Sequence, residues 1–293
     1  MAILTLPAPA KLNLFLHITG RRSDGYHQLQ TLFQFLDYGD QLDFSLRSDQ
    51  RIHFACDDVS LAGPDNLVLR AAHLLAQHAP QHTGVDIFLH KKLPYGGGLG
   101  GGSSDAATTL LALRQLWRLP LSDHQLATLG LQLGADVPVF VRGQAAFAEG
   151  VGEQLQPATP PQCWYLVIHP NVHVATAEIF QHADLPRNHA PLHWPSWSWD
   201  SSSNDCQQLV ASLYPEVAKA LDWLVHYAPV HAPVRMTGTG ACIFACFEQQ
   251  QAAHEVLQQL PSAWRGFVAR GCNESPVCHA LRQAATVNLT NQD

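Results

Sequence analysis

Apolar and polar positions alternate through "KLNLFLHI" (11–18) and again through "DQLDFSLR" (40–47), the period of two expected of strands with one buried face. The stretch between them, "SDGYHQLQTLFQFLDYGD" (23–40), carries turn residues at both ends, so the N-terminal part of the chain is predicted to be strand-rich. The period changes in "DNLVLRAAHLLAQHA" (65–79), where Leu67, Ala71, Leu74 and Leu75 fall on one helical face and Asp65 or Asn66 is the N-cap. Alternation returns in "GVDIFLHKKLP" (84–94), with Val85, Ile87 and Leu89 on one side, and this strand leads into "PYGGGLGGGSSD" (94–105). Beyond it, "AATTLLALRQLWRL" (106–119) is a strong helix former, with Ser103, Ser104 and Asp105 as cap-type residues ahead of it. Ser122 to Gln125 form a capping box that opens the helix "HQLATLGLQLG".

The segment Gly96 to Gly102 is glycine at every position except Leu99. Each glycine in ordered structure costs roughly 0.5–1 kcal/mol relative to alanine, so such a run needs a compensating use. Lying between a strand and a helix start, it brings free N–H groups and the positive end of a helix dipole into one loop, which suits an anion. The plain alternative is a flexible connection. Gly96-Gly97-Gly98-Leu99-Gly100-Gly101 satisfies G-x-G-x-x-G, and Asp123 lies at a plausible distance for a ribose-binding acid, but Asp123 sits in a helix start rather than at a strand end. A P-loop also fails, because Ser103 stands where its lysine must be.

Composition narrows the class. With 293 residues, 46% hydrophobic and 14% charged, the chain can bury a large core as one big domain or two modest ones. A formal net charge of -7 with 17 Lys+Arg and no basic run argues against nucleic acid as a partner. No stretch approaches the ~18 uninterrupted apolar residues of a membrane span, so no membrane partner is expected. The opening "MAILTLPAPAKLNL" lacks the features of a secretory leader, and a cytoplasmic setting follows as the expectation. Seven cysteines at irregular spacing match neither a zinc ribbon nor a disulfide framework and are expected to be reduced thiols. The 17 histidines are scattered without ligand spacing, so no metal-ligating residue is assigned.

Three stretches then take on meaning together. "PAPAKLNLFL" (7–16), "LPYGGGLGGGSSDAA" (93–107) and "MTGTGACIF" (236–244) resemble, in order, the three motifs of the GHMP kinase superfamily. "ITGRRSDGYHQLQTLFQFLDYGD" (18–40) and "GADVPVFVRGQAAFAEGVGE" (134–153) resemble the branch that phosphorylates the 2-hydroxyl of a cytidine-diphosphate-linked methylerythritol with ATP, in non-mevalonate isoprenoid synthesis. The resemblance implies an α+β, two-domain GHMP kinase fold with the active site in the interdomain cleft. The prolines of "QPATPPQ" (156–162) mark a loose boundary, giving 1–156 as an N-terminal ATP-binding domain and 157–293 as a C-terminal domain, with strands possible across it. "LPRNHAPLHWPSWSWDSSSND" (185–205) is expected to be a long surface connection, its three tryptophans unexplained.

The same resemblance implies roles. Pro94, Gly96, Gly97, Gly98, Leu99, Gly100, Gly101, Gly102, Ser103 and Ser104 would hold the ATP phosphates, with Mg²⁺ expected alongside ATP. Asp136 matches the catalytic aspartate and Lys11 its lysine partner, a pairing in which the ammonium keeps the carboxylate ionised beside the accepting hydroxyl. Without it, Asp136 would read as the cap of a short helix and Lys11 as a surface ion-pair partner. Asn13 shares the strand face of Lys11 and is expected to reach the polyol, while Tyr26, His27 and Phe180 are expected to hold the cytosine, the aromatics by stacking and the histidine at the base edge. "TGTG" (237–240) is expected to form a second tight loop near the phosphates. The rival readings are another kinase of the superfamily, acting on mevalonate, homoserine or a sugar, and a non-catalytic nucleotide-binding homologue. Lys11 and Asp136 argue against the latter, and "DGYHQLQT" (24–31) against the former.

Overall fold

The computed structural model describes residues 3–79, 81, 83–229 and 234–290. Two long strands organise it. β1 (Ile3–Arg21) and β2 (His27–Leu46) pair antiparallel from Ile3↔Ser45 to Arg21↔His27. The register breaks between Pro9 and Lys11 and between Asn13 and Leu16, so both irregularities flank the Lys11 and Asn13 positions.

On its C-terminal half β2 also pairs with β4 (Val85–His90), and β3 (Ile52–Cys56) extends that edge in parallel with β4. β5 (Ala146–Glu149) pairs with β2 through Thr31 to Phe33, and β6 (Gln154–Pro157) pairs with β5. In its middle β2 meets β10 (Arg265–Cys272) at Leu36↔Gly271 and Phe35↔Cys272. Through β10 the sheet continues to β7 (Trp164–His169), β9 (Ile243–Phe247) and β8 (Arg235–Met236). One sheet thus runs through both halves.

The helices cover it in two groups. α1 (Leu67–Ala76), α2 (Gly101–Leu116), α3 (Asp123–Leu131) and α4 (Val137–Arg142) bury the N-terminal core with residues such as Phe35, Phe44, Val85, Leu110 and Phe140. α5 (Thr176–Gln181), α6 (Gln207–Leu213), α7 (Pro215–Tyr227) and α8 (Gln250–Leu257) belong to the second half, whose core gathers Leu166, Ile243, Val217 and Leu224. The cores exchange chain: Val277 of α9 (Pro276–Thr290) lies in the first, and Leu16 and Ile18 of β1 lie in the second. Residues 156 and 157, where the prolines suggested a boundary, end strand β6.

Local predictions survive with shifts. α1 is capped by Asn66, whose side chain accepts from Val68 N, but its buried face is Val68, Ala71, Ala72 and Leu75 rather than one centred on Leu67 and Leu74. α3 carries the Ser122–Gln125 capping box. α2 begins earlier than its cap-type residues suggested: Gly100, at φ 71, is its N-cap, and Ser103, Ser104 and Asp105 lie inside it. Only a residue tolerant of positive φ could turn the chain into the helix so abruptly, and the serines are carried into the first turns. Every residue of α2 from Ser104 to Leu113 is buried, which is why that segment shows no polar face.

Two further expectations are corrected. Cys163 and Cys246 are disulfide-paired, not free: the β7 and β9 pairing brings their Cα atoms to 6.1 Å. Irregular spacing in sequence hid a proximity made by strand pairing. The 185–205 segment is more than a surface connection, since Trp194, Trp197 and Trp199 pack against the apolar layer of Phe15, Phe147 and Phe244, with the Arg235 guanidinium 5.0 Å from the Trp199 ring. No helix among the described residues is long and apolar enough to cross a membrane.

Candidate active site

Positive φ recurs at every second residue of the glycine run, at Gly96, Gly98 and Gly100. Such alternation turns successive N–H groups toward one concave side, and the first N–H groups of α2, which lack intrahelical partners, continue it. The loop is docked from two directions. Lys11 N of β1 donates to Leu99 O at 2.9 Å, and Cys242 N donates to Gly97 O at 3.1 Å. The 237–240 loop closes against it: Thr237 Oγ1 donates to Gly98 O at 3.3 Å, and a Cβ on Gly98 would lie 2.2 Å from Thr237 O. Gly98 is therefore bare because another backbone occupies that space. Pro94 packs similarly, its Cγ 3.2 Å from where a Gly97 Cβ would be, and Leu99 is buried.

The Lys11 ammonium has three donors and three acceptors around it: Asn13 Oδ1 at 2.5 Å, Gly98 O at 3.1 Å and Asp136 Oδ2 at 3.3 Å. It ties β1, the glycine loop and the start of α4 at one point. Asp136 occupies the N-cap position of α4 but makes no capping hydrogen bond, so its carboxylate serves the lysine and not the helix. Asn13 is buried, its amide donating to Thr31 Oγ1 at 2.9 Å and its backbone N donating to Thr237 Oγ1 at 2.9 Å. It holds Lys11 in place from the same strand face. Ser103 is half-buried, whereas Ser104 is fully buried with no hydrogen-bond partner for Oγ among the described residues.

Sequence reasoning overlooked the support below the loop. Lys91 Nζ contacts Asp40 Oδ2 at 2.5 Å and Asp105 Oδ2 at 2.8 Å, while Asp40 Oδ1 accepts from Lys92 N and Leu93 N. This buried group pins the end of β4 and the first turns of α2 on either side of the glycines. Burial raises the Asp105 carboxyl well above the usual carboxylate range, opposed by the Lys91 charge. Charged residues interrupting an apolar pattern at Lys91 and Asp105 were the available signal.

At the far end of the β1–β2 hairpin, His27 is buried and stacks on Phe180 with ring centroids 5.2 Å apart and planes 26° apart. Tyr26 beside it is 65% exposed. Burial first, then the Arg187 and Arg21 charges, lower the His27 ring below its usual pKa. Phe180 and His27 are thus brought together, and Tyr26 adjoins His27 in the chain. Arg187 was not foreseen.

Comparisons with known proteins follow the same lines. Residues 66–144 match the family "GHMP kinases N terminal domain" and residues 181–266 match "GHMP kinases C terminal". The chain is 58% identical over 279 residues to a 4-diphosphocytidyl-2-C-methyl-D-erythritol kinase of Shewanella woodyi, covering 94% of this chain and 96% of that one. It is likewise 58% identical over 280 residues to the same-named protein of Shewanella piezotolerans, with 94% and 96% coverage. Among solved structures it is similar to a 4-(cytidine 5'-diphospho)-2C-methyl-D-erythritol kinase, with TM-score 0.80, 33% identity, and 92% and 99% of the two chains covered. A homoserine kinase from Cytophaga hutchinsonii shares the fold at TM-score 0.70 and 16% identity, with 94% and 96% covered.

Proposed function

The chain belongs to the GHMP kinase family and, within it, to the 4-diphosphocytidyl-2-C-methyl-D-erythritol kinases, and from that membership we propose that it transfers the γ-phosphoryl group of ATP to the 2-hydroxyl of a cytidine-diphosphate-linked methylerythritol. The step belongs to non-mevalonate isoprenoid synthesis. The observation that carries the mechanism is the Lys11–Asp136 pair at 3.3 Å, with Lys11 also bonded to the glycine loop at Gly98 O.

The glycine loop and the α2 N-terminus hold the triphosphate through backbone N–H groups, leaving the γ-phosphorus beside Lys11. Asp136 accepts the hydroxyl proton as that oxygen bonds to phosphorus and ADP departs, and Lys11 offsets charge on the transferring group. Asn13 orients Lys11. Among the described residues no group of three or more His, Cys, Asp or Glu side chains gathers to cage a metal, a donor set that suits Mg²⁺ carried chiefly by the nucleotide phosphates. The Ser103 hydroxyl would supply a protein oxygen to it. When bound, Mg²⁺ neutralises charge on the β- and γ-phosphates.

Span supports a long substrate. His27 and Phe35, the register partner of Lys11, lie on the one continuous strand β2, and an extended stretch of that length spans roughly 26 Å at ~3.3 Å per residue. An extended nucleotide-linked polyol can bridge two such points, whereas mevalonate or homoserine would fill only one. Tyr26, His27 and Phe180 accordingly take the cytosine. The test is ADP release measured side by side with cytidine-diphosphate-methylerythritol, mevalonate and homoserine. Turnover confined to the first is expected, and equal or greater turnover of either small acceptor would sink the reading.

A further inference from the structure

One arginine, Arg187, ties two of the residues read above as base-recognition groups to the turn that follows α5. Arg187 Nε donates to His27 Nε2 at 3.0 Å. Its Nη2 donates to the carbonyls of Phe180 at 3.2 Å and His182 at 2.6 Å, and its Nη1 to those of Ala183 at 3.4 Å and Leu185 at 3.0 Å. These carbonyls lie at and just past the end of α5, where a helix leaves acceptors unmatched. A guanidinium has donors only, in a fixed planar fork, and never gives up its charge in a protein.

One consequence concerns the proton on His27. Because Arg187 Nε can only donate, the His27 Nε2 facing it must accept, so the ring is neutral and its single proton sits on Nδ1. We infer that Arg187 is a positioning residue for base recognition: it fixes His27 as the Nδ1–H tautomer and binds that ring and the Phe180 backbone into one unit. The lowered His27 pKa, in which Arg187 follows burial as a cause, agrees with a ring held neutral.

The inference rests on the reading of His27 and Phe180 as the cytosine site, and it sets the polarity of that site. An Nδ1–H group presents a donor to the ligand, which suits the N3 or O2 acceptors of cytosine. At N3, uracil presents a donor instead, and two donors facing each other leave both unpaired in a buried setting. A lysine at 187 would keep the charge but could not serve His27 and four carbonyls from one nitrogen.

The experiment records histidine ¹⁵N shifts of the free enzyme at pH 8, together with KM for the cytidine substrate and for ATP, in wild type, Arg187→Lys and Arg187→Ala. In wild type His27 is expected as the Nδ1–H tautomer. In both variants the ring is expected to give mixed tautomers, with KM for the cytidine substrate raised roughly tenfold or more and KM for ATP unchanged. An Nε2–H ring in wild type would overturn the inference without any variant needing to fold. Full rescue by lysine would also overturn it, reducing Arg187 to a charge, as would a changed tautomer with unchanged KM. If the wild-type enzyme does not turn over the cytidine substrate, the functional reading fails, whereas the tautomer in the free protein is still read independently.

Discussion

Lys11 Nζ lies 3.3 Å from Asp136 Oδ2, with the lysine side chain 4% exposed and the aspartate 34% exposed. The asymmetry matters. A buried ammonium hydrogen-bonded to Asn13 Oδ1 and Gly98 O and paired with a carboxylate cannot wander, while a carboxylate open on one side can meet an incoming hydroxyl. A surface ion pair of this length would contribute ~0–1 kcal/mol to stability, so positioning rather than stabilisation accounts for such a pair.

Asp136→Asn is expected to lower kcat by roughly 10²–10⁴-fold with ATP affinity nearly unchanged, because the glycine loop is untouched. Single-turnover kinetics and ATP titration check this. A variant retaining most of its kcat would remove Asp136 from the proton-accepting role.

Lys11→Met should behave differently. Since Lys11 also bonds Gly98 O and Asn13 Oδ1, both ATP affinity and kcat are expected to fall, kcat by about 10² or more. ATP binding as tight as in wild type would show that the Gly98 contact does not shape the loop.

Gly98 and Gly101, equivalent in a reading of the sequence as phosphate contacts, separate in the structure. At Gly98, φ is +73 and a Cβ would meet Thr237 O at 2.2 Å, whereas at Gly101 the nearest atom is Lys91 Nζ at 3.2 Å. Gly98→Ala is therefore expected to lower the melting temperature and ATP affinity together, and Gly101→Ala to leave the melting temperature within a few degrees of wild type. Thermal melts with and without ATP distinguish them; equal melting temperatures for the two variants would refute the loop-closure role of Gly98.

Phe180→Ala removes the ring on which His27 stacks, so it is expected to raise KM and also to narrow the preference for cytidine over uridine analogues. Tyr26→Ala, at an exposed position, should raise KM for both analogues alike, by the ~1–3 kcal/mol of a lost stacking contact. Ratios of kcat/KM for the two analogues decide, and an unaltered ratio in Phe180→Ala would separate Phe180 from edge recognition.

Stability should fall on mild acidification because of His17. Burial first, then His189 stacked on it with ring centroids 3.5 Å apart, pushes this ring down to about 4, and the ring accepts a hydrogen bond from Ser203 N. Nearby Arg235 also lowers it, and Asp205 opposes. The unfolded chain, titrating near the usual 6.5, binds the proton first, so stability present above that value is lost as pH falls toward 4. At pH 5 the loss is about 2 kcal/mol. His17→Gln, which keeps an acceptor but does not titrate, should flatten the difference between urea unfolding at pH 7.5 and pH 5. An undiminished difference in the variant would assign the pH dependence elsewhere.

Elements whose cause is local were legible in the chain itself. The alternation of Val85, Ile87 and Leu89, the Ser122–Gln125 capping box and the glycine run between strand and helix each depend on neighbours in sequence, and each is present. The motifs around Lys11, the glycines and Thr237 were also legible, because their resemblance to those of the GHMP kinases lies in contiguous stretches of sequence. Tertiary structure alone decided what depends on distant backbone. It made Gly98 a docking point for Thr237 O, buried Ser104, joined Cys163 to Cys246 across paired strands and placed Arg187 against His27. Such contacts leave no periodic trace in the sequence, since a strand or helix pattern records which face is buried but not which group will be packed against it.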